Sequence, residues 1–321
     1  MMGINAALKT AGLCGIKLAV SVAIWLLVGI DGSYAADESQ VVGPHFHETG
    51  PGVESPDEER GRVDAIEKIR RKFKRTLAIL SAENGTDPTA IIGQLSPRTR
   101  YQDHTSDQRL QEIARVSLPL SPDWLLRVDV PFTYLDPKDS NEKAVAGLSN
   151  IRARLGWRIL NKEDGSFFIG SEFYLPTSTN PRLGANYYEV GPTIVGSLHL
   201  PDLRSNAFIW IEYLTAVTGR LGGGLRGGVS TDDTSTSESR IRLRFNTVWS
   251  KTWWSFVEPR FFVDWTQRAK TGSVLLFEGG RRLDEHWKLY VRPEVGLWGK
   301  DVPGAFNYGV EVGVRYMFYM F

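Results

Sequence analysis

Three arginines alternate through Arg240-Ile-Arg-Leu-Arg-Phe-Asn-Thr-Val-Trp249, at positions 240, 242 and 244. Ile151-Arg-Ala-Arg-Leu-Gly-Trp-Arg-Ile159 repeats the pattern with Arg152, Arg154 and Arg158 opposite Ile151, Leu155 and Trp157. A guanidinium is always charged, and its planar fork of donors matches carboxylate or phosphate oxygens. Set two residues apart on a strand, such groups form a one-sided cationic ladder. Extending the parity along the chain collects Arg115, Arg127, Arg152, Arg154, Arg158, Arg240, Arg242, Arg244, Arg260, Arg282, Lys288, Arg292 and Arg315 on one side. The same side collects Asp129, Glu172, Glu189, Glu212, Glu258, Asp264, Glu278, Glu294 and Glu311. Two chemistries fit this set. The charges could satisfy one another as cross-strand ion pairs, or their cationic excess could line an eyelet favouring anionic or polar aromatic solutes.

Other constellations are thinner. Lipid-cleaving barrels need a nucleophile and a histidine at an accessible site. His104 has Ser106 two residues on, and no Gly-x-Ser-x-Gly occurs. His199 and His286 fall near short turns. His45-Phe46-His47 offers two metal ligands without a third, so neither a metal nor a cofactor is expected. Gly222-Gly-Gly-Leu-Arg-Gly-Gly228 lacks the strand–helix context of a phosphate loop and reads as part of an external loop.

The elements that position the charges are strands. Alternating segments run over Leu110–Leu120, Trp124–Tyr134, Ile151–Ile159, Ser166–Pro176, Tyr187–Leu200, Ala207–Val217, Arg240–Trp249, Trp254–Trp265, Ser273–Leu283, Trp287–Trp298 and Phe306–Phe321. Their lengths suit strands that cross a bilayer rather than the ~5–6 residues usual in soluble sheets. Connections alternate between short turns (121–123, 162–165, 201–206, 250–252, 284–286) and longer loops (135–148, 177–186, 218–237, 266–272, 299–305). That is the pattern of periplasmic turns and external loops in a bacterial outer-membrane barrel. The reading is all-β: a transmembrane antiparallel up-and-down β-barrel of twelve strands, or ten if an end pair is not embedded. Thr89–Leu95 and Arg75–Glu83 are the candidates for the missing first strand. Trp124, Tyr134, Tyr174, Tyr187, Tyr188, Trp249, Trp253, Trp254, Trp265, Trp287, Trp298, Tyr316, Phe318 and Tyr319 sit near strand ends, where ring bodies with polar tips suit lipid headgroups.

Composition agrees with that reading. The mean hydropathy of −0.22 looks soluble, but a barrel averages an oily face with a charged one. Lys9 and Lys17, an apolar run over 18–30 and small residues at Ser33 and Ala35 predict a secretory signal peptide over 1–35. The only cysteine, Cys14, leaves with it. So do Lys9, Lys17 and Asp31, which takes the formal charge from +1 to zero and gives no reason to expect nucleic acid as a partner. Residues 36–55 read as a disordered periplasmic leader. Ser55-Pro56-Asp57-Glu58 forms a capping box. Val63, Ile66, Ile69, Phe73, Leu77 and Leu80 then mark an amphipathic helix within 56–85, stopped at Asn84-Gly85. Its stripe could pack on the protein, pair residues 56–82 with a second copy, or lie on a membrane, and the helix could plug the lumen. The barrel is assigned to 86–321.

The chain ends Tyr316-Met-Phe-Tyr-Met-Phe321, which resembles the signal read by the outer-membrane assembly machinery. Counted from Phe321, the parity points Arg315 outward, so a bulge near Tyr316–Phe318 is expected. The expected surroundings are outer-membrane lipid and lipopolysaccharide in a Gram-negative bacterium, with the C-terminus periplasmic and small solutes as cargo. A structural or docking barrel using the helix is the alternative.

Four stretches carry a family resemblance. They are Arg115-Val-Ser-Leu-Pro-Leu-Ser-Pro-Asp-Trp-Leu-Leu-Arg-Val-Asp-Val-Pro-Phe132, Gly147-Leu-Ser-Asn-Ile-Arg-Ala-Arg-Leu-Gly-Trp-Arg158, Glu172-Phe-Tyr-Leu-Pro-Thr-Ser178 and Leu183-Gly-Ala-Asn-Tyr-Tyr-Glu-Val-Gly-Pro192. Together they resemble the phenol-degradation pathway (MetA-like) family of outer-membrane transporters. Ser149-Asn150 stands where that family often has Gly-Asp. The resemblance implies a barrel that moves small, often aromatic, solutes. No enzyme is expected, on the thin set of histidines and nucleophiles above.

Overall fold

The computed structural model describes residues 56–320 except 140, 163 and 218–235. The expected signal peptide, leader, His45-Phe46-His47, Gly-rich loop and Phe321 lie outside these residues. The chain divides into two units, 1–73 and 74–321.

Helix α1 spans Pro56–Glu83. In the first unit its Val63, Ile66 and Ile69 are exposed. No helix among the described residues is long and apolar enough to cross a membrane. In the second unit α1 ends in a Schellman motif. Thr86 N donates to Ser81 O at 3.1 Å and Gly85 N to Ala82 O at 2.9 Å, with Gly85 at φ +69°. Arg75–Glu83 is therefore helix, not the missing first strand. The cap ends the helix and turns the chain into residues 84–92.

The strands follow: β1 (Gly93–Asp103), β2 (Asp107–Pro119), β3 (Trp124–Pro137), β4 (Val145–Leu148), β5 (Ile151–Lys162), β6 (Gly165–Leu175), β7 (Glu189–Leu200), β8 (Ser205–Ala216), β9 (Ser237–Val248), β10 (Trp253–Asp264), β11 (Lys270–Arg282), β12 (Trp287–Trp298) and β13 (Tyr308–Phe318). All neighbours pair antiparallel, and β1 pairs with β13 to close the sheet. The short β4 lies beside the loop end of β3 while β5 pairs with its other end, so β4 and β5 complete one wall position. The result is a closed twelve-strand barrel. Of the Thr89–Leu95 candidate, only the last three residues enter β1.

Closure lets every strand hydrogen-bond on both edges, the condition for a sheet in hydrocarbon. The outward residues make an oily wall. Phe132, Ile194, Ile209, Ile211, Phe245, Val257 and Phe277 are all exposed. Trp124 stacks on Trp157 at 5.9 Å, and Trp287 meets Tyr316 at 4.9 Å, both near the short-turn end. Exposed Trp265, Trp298 and Tyr308 mark the loop end. These rings form two girdles.

Three expectations change. Tyr174, Tyr187 and Trp254 are not interface rings. Tyr174 and Tyr187 line a cavity, and Trp254 is 1% exposed. Trp254 fits inward because it crosses Gly280, where an added Cβ would lie 2.0 Å from its ring. No bulge occurs near Tyr316–Phe318. The register of β13 with β1 and β12 is unbroken there, Arg315 points inward, and the ladder ends at Phe318 before the parity conflict arises. Finally, the connection 104–106 is short although it lies at the loop end. His104 N donates to Asp107 O at 2.8 Å to close a tight hairpin, and the His104 ring packs on Phe306 at 5.9 Å.

Candidate functional site

The interior is polar. Lys288, Glu212, Glu278, Glu311 and Arg315 are all at most 4% exposed. Carboxylates and guanidiniums satisfy one another across strands. Asp129 accepts from Arg115 at 2.6 and 2.7 Å and from Arg98 at 3.2 Å, and also pairs with Arg152. Glu278 accepts from Arg292, Arg315 and the Trp254 indole. Glu258 takes Arg244 and Arg260, both at 2.5 Å. Glu311 takes Arg292 at 2.9 Å and the Tyr290 hydroxyl at 2.8 Å. Glu294 takes Arg100 at 3.0 Å, Glu212 takes Arg242 at 3.2 Å, and Glu172 pairs with Arg154.

Aromatic faces fix several guanidiniums in place. Arg154 lies 4.0 Å and Arg242 4.7 Å from the Trp210 ring, Arg244 4.2 Å from Phe256, and Arg315 4.0 Å from Tyr290. Such cation–π contacts are strongest where water is excluded.

Two cavities in the lumen are lined by described residues. The outer one, at the loop end, measures about 1140 Å³. Arg109, Arg152, Tyr174, Tyr187, Glu189, Glu238, Arg240 and Asp264 are among its lining. Glu189 accepts from Thr236 at 2.7 Å, and Asp264 caps the turn through Thr266 at 2.9 Å. The inner cavity measures about 110 Å³ and shares Arg100 and Arg152 with the outer one. Among the described residues, eleven arginines and three carboxylates line it, Asp87, Glu172 and Glu311.

Residues 81–91 fill the turn end. Asn246 donates to Ser81 Oγ at 2.9 Å, Arg282 to Glu83 at 2.5 Å, Arg315 to Asn84 O at 3.0 Å and Arg244 to Thr86 O at 2.7 Å. Thr89 and Ser166 share a 2.5 Å hydrogen bond, and Ile91 packs on Leu125, Phe168, Val195 and Trp210. Asp87 caps its own turn, accepting from Thr89 N at 2.7 Å. Burial in this plug pushes the Asp87 carboxyl above its ordinary range, against the pull of its Thr89 hydrogen bonds and of His199 and Arg158. The plug is the last turn of α1 together with the segment that follows it.

The expected lumen residues therefore distribute as follows. Arg127, Arg152, Arg154, Glu172, Arg242, Arg244, Arg260, Arg292, Glu311 and Arg315 border the inner cavity. Glu189, Arg240 and Asp264 border the outer one. Glu212, Glu258, Glu278 and Glu294 lie inward as ion-pair partners. Arg158 sits at the turn rim, donating to Pro122 O at 2.9 Å. Sequence reasoning missed Arg98 and Arg100 because β1 was not recognised, and missed Trp210, Phe256 and Tyr290 as guanidinium platforms.

The His104–Ser106 pair does not form. Ser106 donates to Asp107 at 2.9 Å, and burial with Arg109 nearby lowers the His104 pKa to about 4. Among the described residues no group of three or more His, Cys, Asp or Glu could hold a metal.

No protein-family profile and no curated protein matches the chain. Solved structures do. An outer-membrane channel from Pseudomonas putida F1 aligns with a TM-score of 0.57 at 11% identity, over 72% of this chain and 99% of that one. The NanC porin aligns at 0.49 and 10% identity, over 69% of this chain and 98% of its own. The KdgM porin, solved in complex with disordered oligogalacturonate, aligns at 0.47 and 11%, over 70% and 99%. At such identities the likeness is one of architecture: the chain folds as a porin-like antiparallel β-barrel of twelve strands.

Proposed function

We propose that this chain is a passive channel of a Gram-negative outer membrane, admitting small, preferentially anionic solutes through a charged lumen closed at its turn end by residues 81–91. The observation that carries this reading is the outer cavity of about 1140 Å³ opening between the loops and leading to arginine-lined space. Ion pairs serving structure alone would fill the barrel, as side chains fill small eight-strand barrels. The turn end and C-terminus face the periplasm in this reading, because short turns are periplasmic in such barrels. The finer assignment, to MetA-like transporters of aromatic solutes, rests on the motifs of residues 108–200 and agrees with Tyr174 and Tyr187 lining the outer cavity.

Planar-bilayer recording of the refolded chain tests it. Discrete conductance with a reversal potential favouring anions is expected, and deletion of residues 36–92 should raise the conductance. Silence in both forms would overturn the reading.

A docking role is the second reading. It is favoured by the exposed Val63, Ile66 and Ile69 on α1, which could pair with a second copy or lie on a lipid surface. Removing residues 36–80 should then abolish a complex while the barrel still folds.

A further inference from the structure

The inner cavity holds more cation than its carboxylates neutralise. Arg127 has Ser117 Oγ, at 3.2 Å, as its hydrogen-bond partner and stands in no ion pair among the described residues. Arg98 and Arg154 are 7% and 5% exposed, and the Nε atoms of both, with that of Arg242, find no acceptor. All four side chains line the same 110 Å³. A buried donor without an acceptor is destabilising, more so when charged. An oxyanion seated among these groups would remove that cost. The volume suits one compact anion rather than a chain of sugars.

The plug occupies part of the same field. Its contacts to Arg244 and Arg315 are made by Thr86 O and Asn84 O, at the C-terminal end of α1. Helix C-termini carry about half a negative charge, so the plug meets the arginines as a weak anion. A formally charged oxygen makes hydrogen bonds roughly twice as strong as a neutral carbonyl does. Gly85, Asp87 and Pro88 border the cavity directly, so an anion there touches the plug.

We propose that the inner cavity is a binding site for one compact oxyanion, a phosphate or a small carboxylate, arriving from the loop end, and that its occupancy draws Arg244 and Arg315 off the plug carbonyls and loosens the plug. This deepens the channel reading and rests on it for the route of entry. Binding itself can be measured without any conductance.

The test uses the full mature chain refolded in detergent, with inorganic phosphate and acetate as probes and chloride at matched ionic strength as control. Calorimetry should show saturable phosphate binding near one per chain, and amide exchange over residues 84–92 should quicken at least fivefold at saturation while the strands stay protected. Arg127→Gln removes no ion pair and should weaken phosphate binding at least tenfold with the barrel intact. Arg98→Gln breaks contacts to Asp129 and Glu311, so its folding is checked first and Arg127→Gln decides. Absence of saturable binding, or binding unchanged in Arg127→Gln, overturns the site. Binding with no change in plug exchange overturns the coupling. A silent bilayer with binding retained would instead overturn only the channel reading.

Discussion

Gly85 is where the plug can be loosened without replacing a lumen charge. Its φ of +69° lies in the left-handed region. Replacing it with alanine costs about 1–2 kcal/mol from the clash of Cβ with the following carbonyl. The added Cβ would also lie 3.1 Å from Arg315 Cδ, on the side chain that holds Asn84 O at 3.0 Å. Arg315 must shift to accept it, which weakens that hydrogen bond. The strain falls on the seated plug, because a released segment can relax its φ. Gly85→Ala should therefore raise the released fraction about five- to thirty-fold. Hydrogen exchange over residues 84–92 reads this directly, with strand exchange as the internal reference. Gly61→Ala is the control, since nothing lies within 4 Å of a Cβ there. It should leave plug exchange unchanged while favouring the helix by up to about 1 kcal/mol. Equal plug exchange in Gly85→Ala and the unsubstituted protein would refute the docking geometry.

Three further outcomes are expected. A carboxyl whose pKa is raised on docking stabilises the docked form below the ordinary range near 3.8 and loses that contribution as pH climbs through the raised value. Protection of the plug amides, corrected for the intrinsic rise of exchange with pH, should therefore fall from acid toward neutral pH, and Asp87→Asn, which keeps an acceptor for Thr89, should flatten that dependence. His104 behaves oppositely. Its pKa falls from 6.5 to about 4, so the stability it lends the 104–106 connection is present above 6.5 and lost as pH falls toward 4, by an upper bound of about 3 kcal/mol that partial exposure reduces; the protection of the amides of 104–106, corrected for the intrinsic pH dependence of exchange, reports it, and a protection independent of pH counts against the assignment. Ile211→Arg on the oily wall should cost roughly 2–4 kcal/mol in a bilayer unfolding titration, and a neutral result would place Ile211 away from lipid.

Most of the barrel was legible because eleven strands alternate cleanly between apolar and charged residues. The twelfth was hidden by its own chemistry. The outward face of β1 carries Leu95, Pro97, Thr99 and Tyr101, of which only Leu95 is aliphatic, so no hydrophobic rhythm announces it. Arg98 and Arg100 disappeared with it. Trp254 and Tyr174 could have been placed. Trp254 shares its parity with Glu258 and Arg260, and Tyr174 shares its parity with Glu172, but position at a strand end outweighed parity. What a single strand could not disclose is the space an inward indole needs, because Gly280 is on the neighbouring strand. The plug was least legible. Residues 84–92 have no period, and their hydrogen-bond partners Ser166, Arg244 and Arg315 lie 77, 158 and 231 positions away.

That separation bears on assembly. The plug's hydrogen bonds to Arg244, Asn246, Arg282 and Arg315 join residues 158, 165, 199 and 231 positions apart. Closing such long loops carries an entropic cost that must be met before the contacts can repay it. The plug, although it precedes every strand in the chain, is therefore among the last segments to find its place. Its final partner, Arg315, lies on β13, the strand that also seals the wall by pairing with β1, immediately after the plug. Seating the plug and closing the seam thus depend on the same strand. A barrel that has not yet closed has no socket for its plug, so a seated plug reports a completed wall.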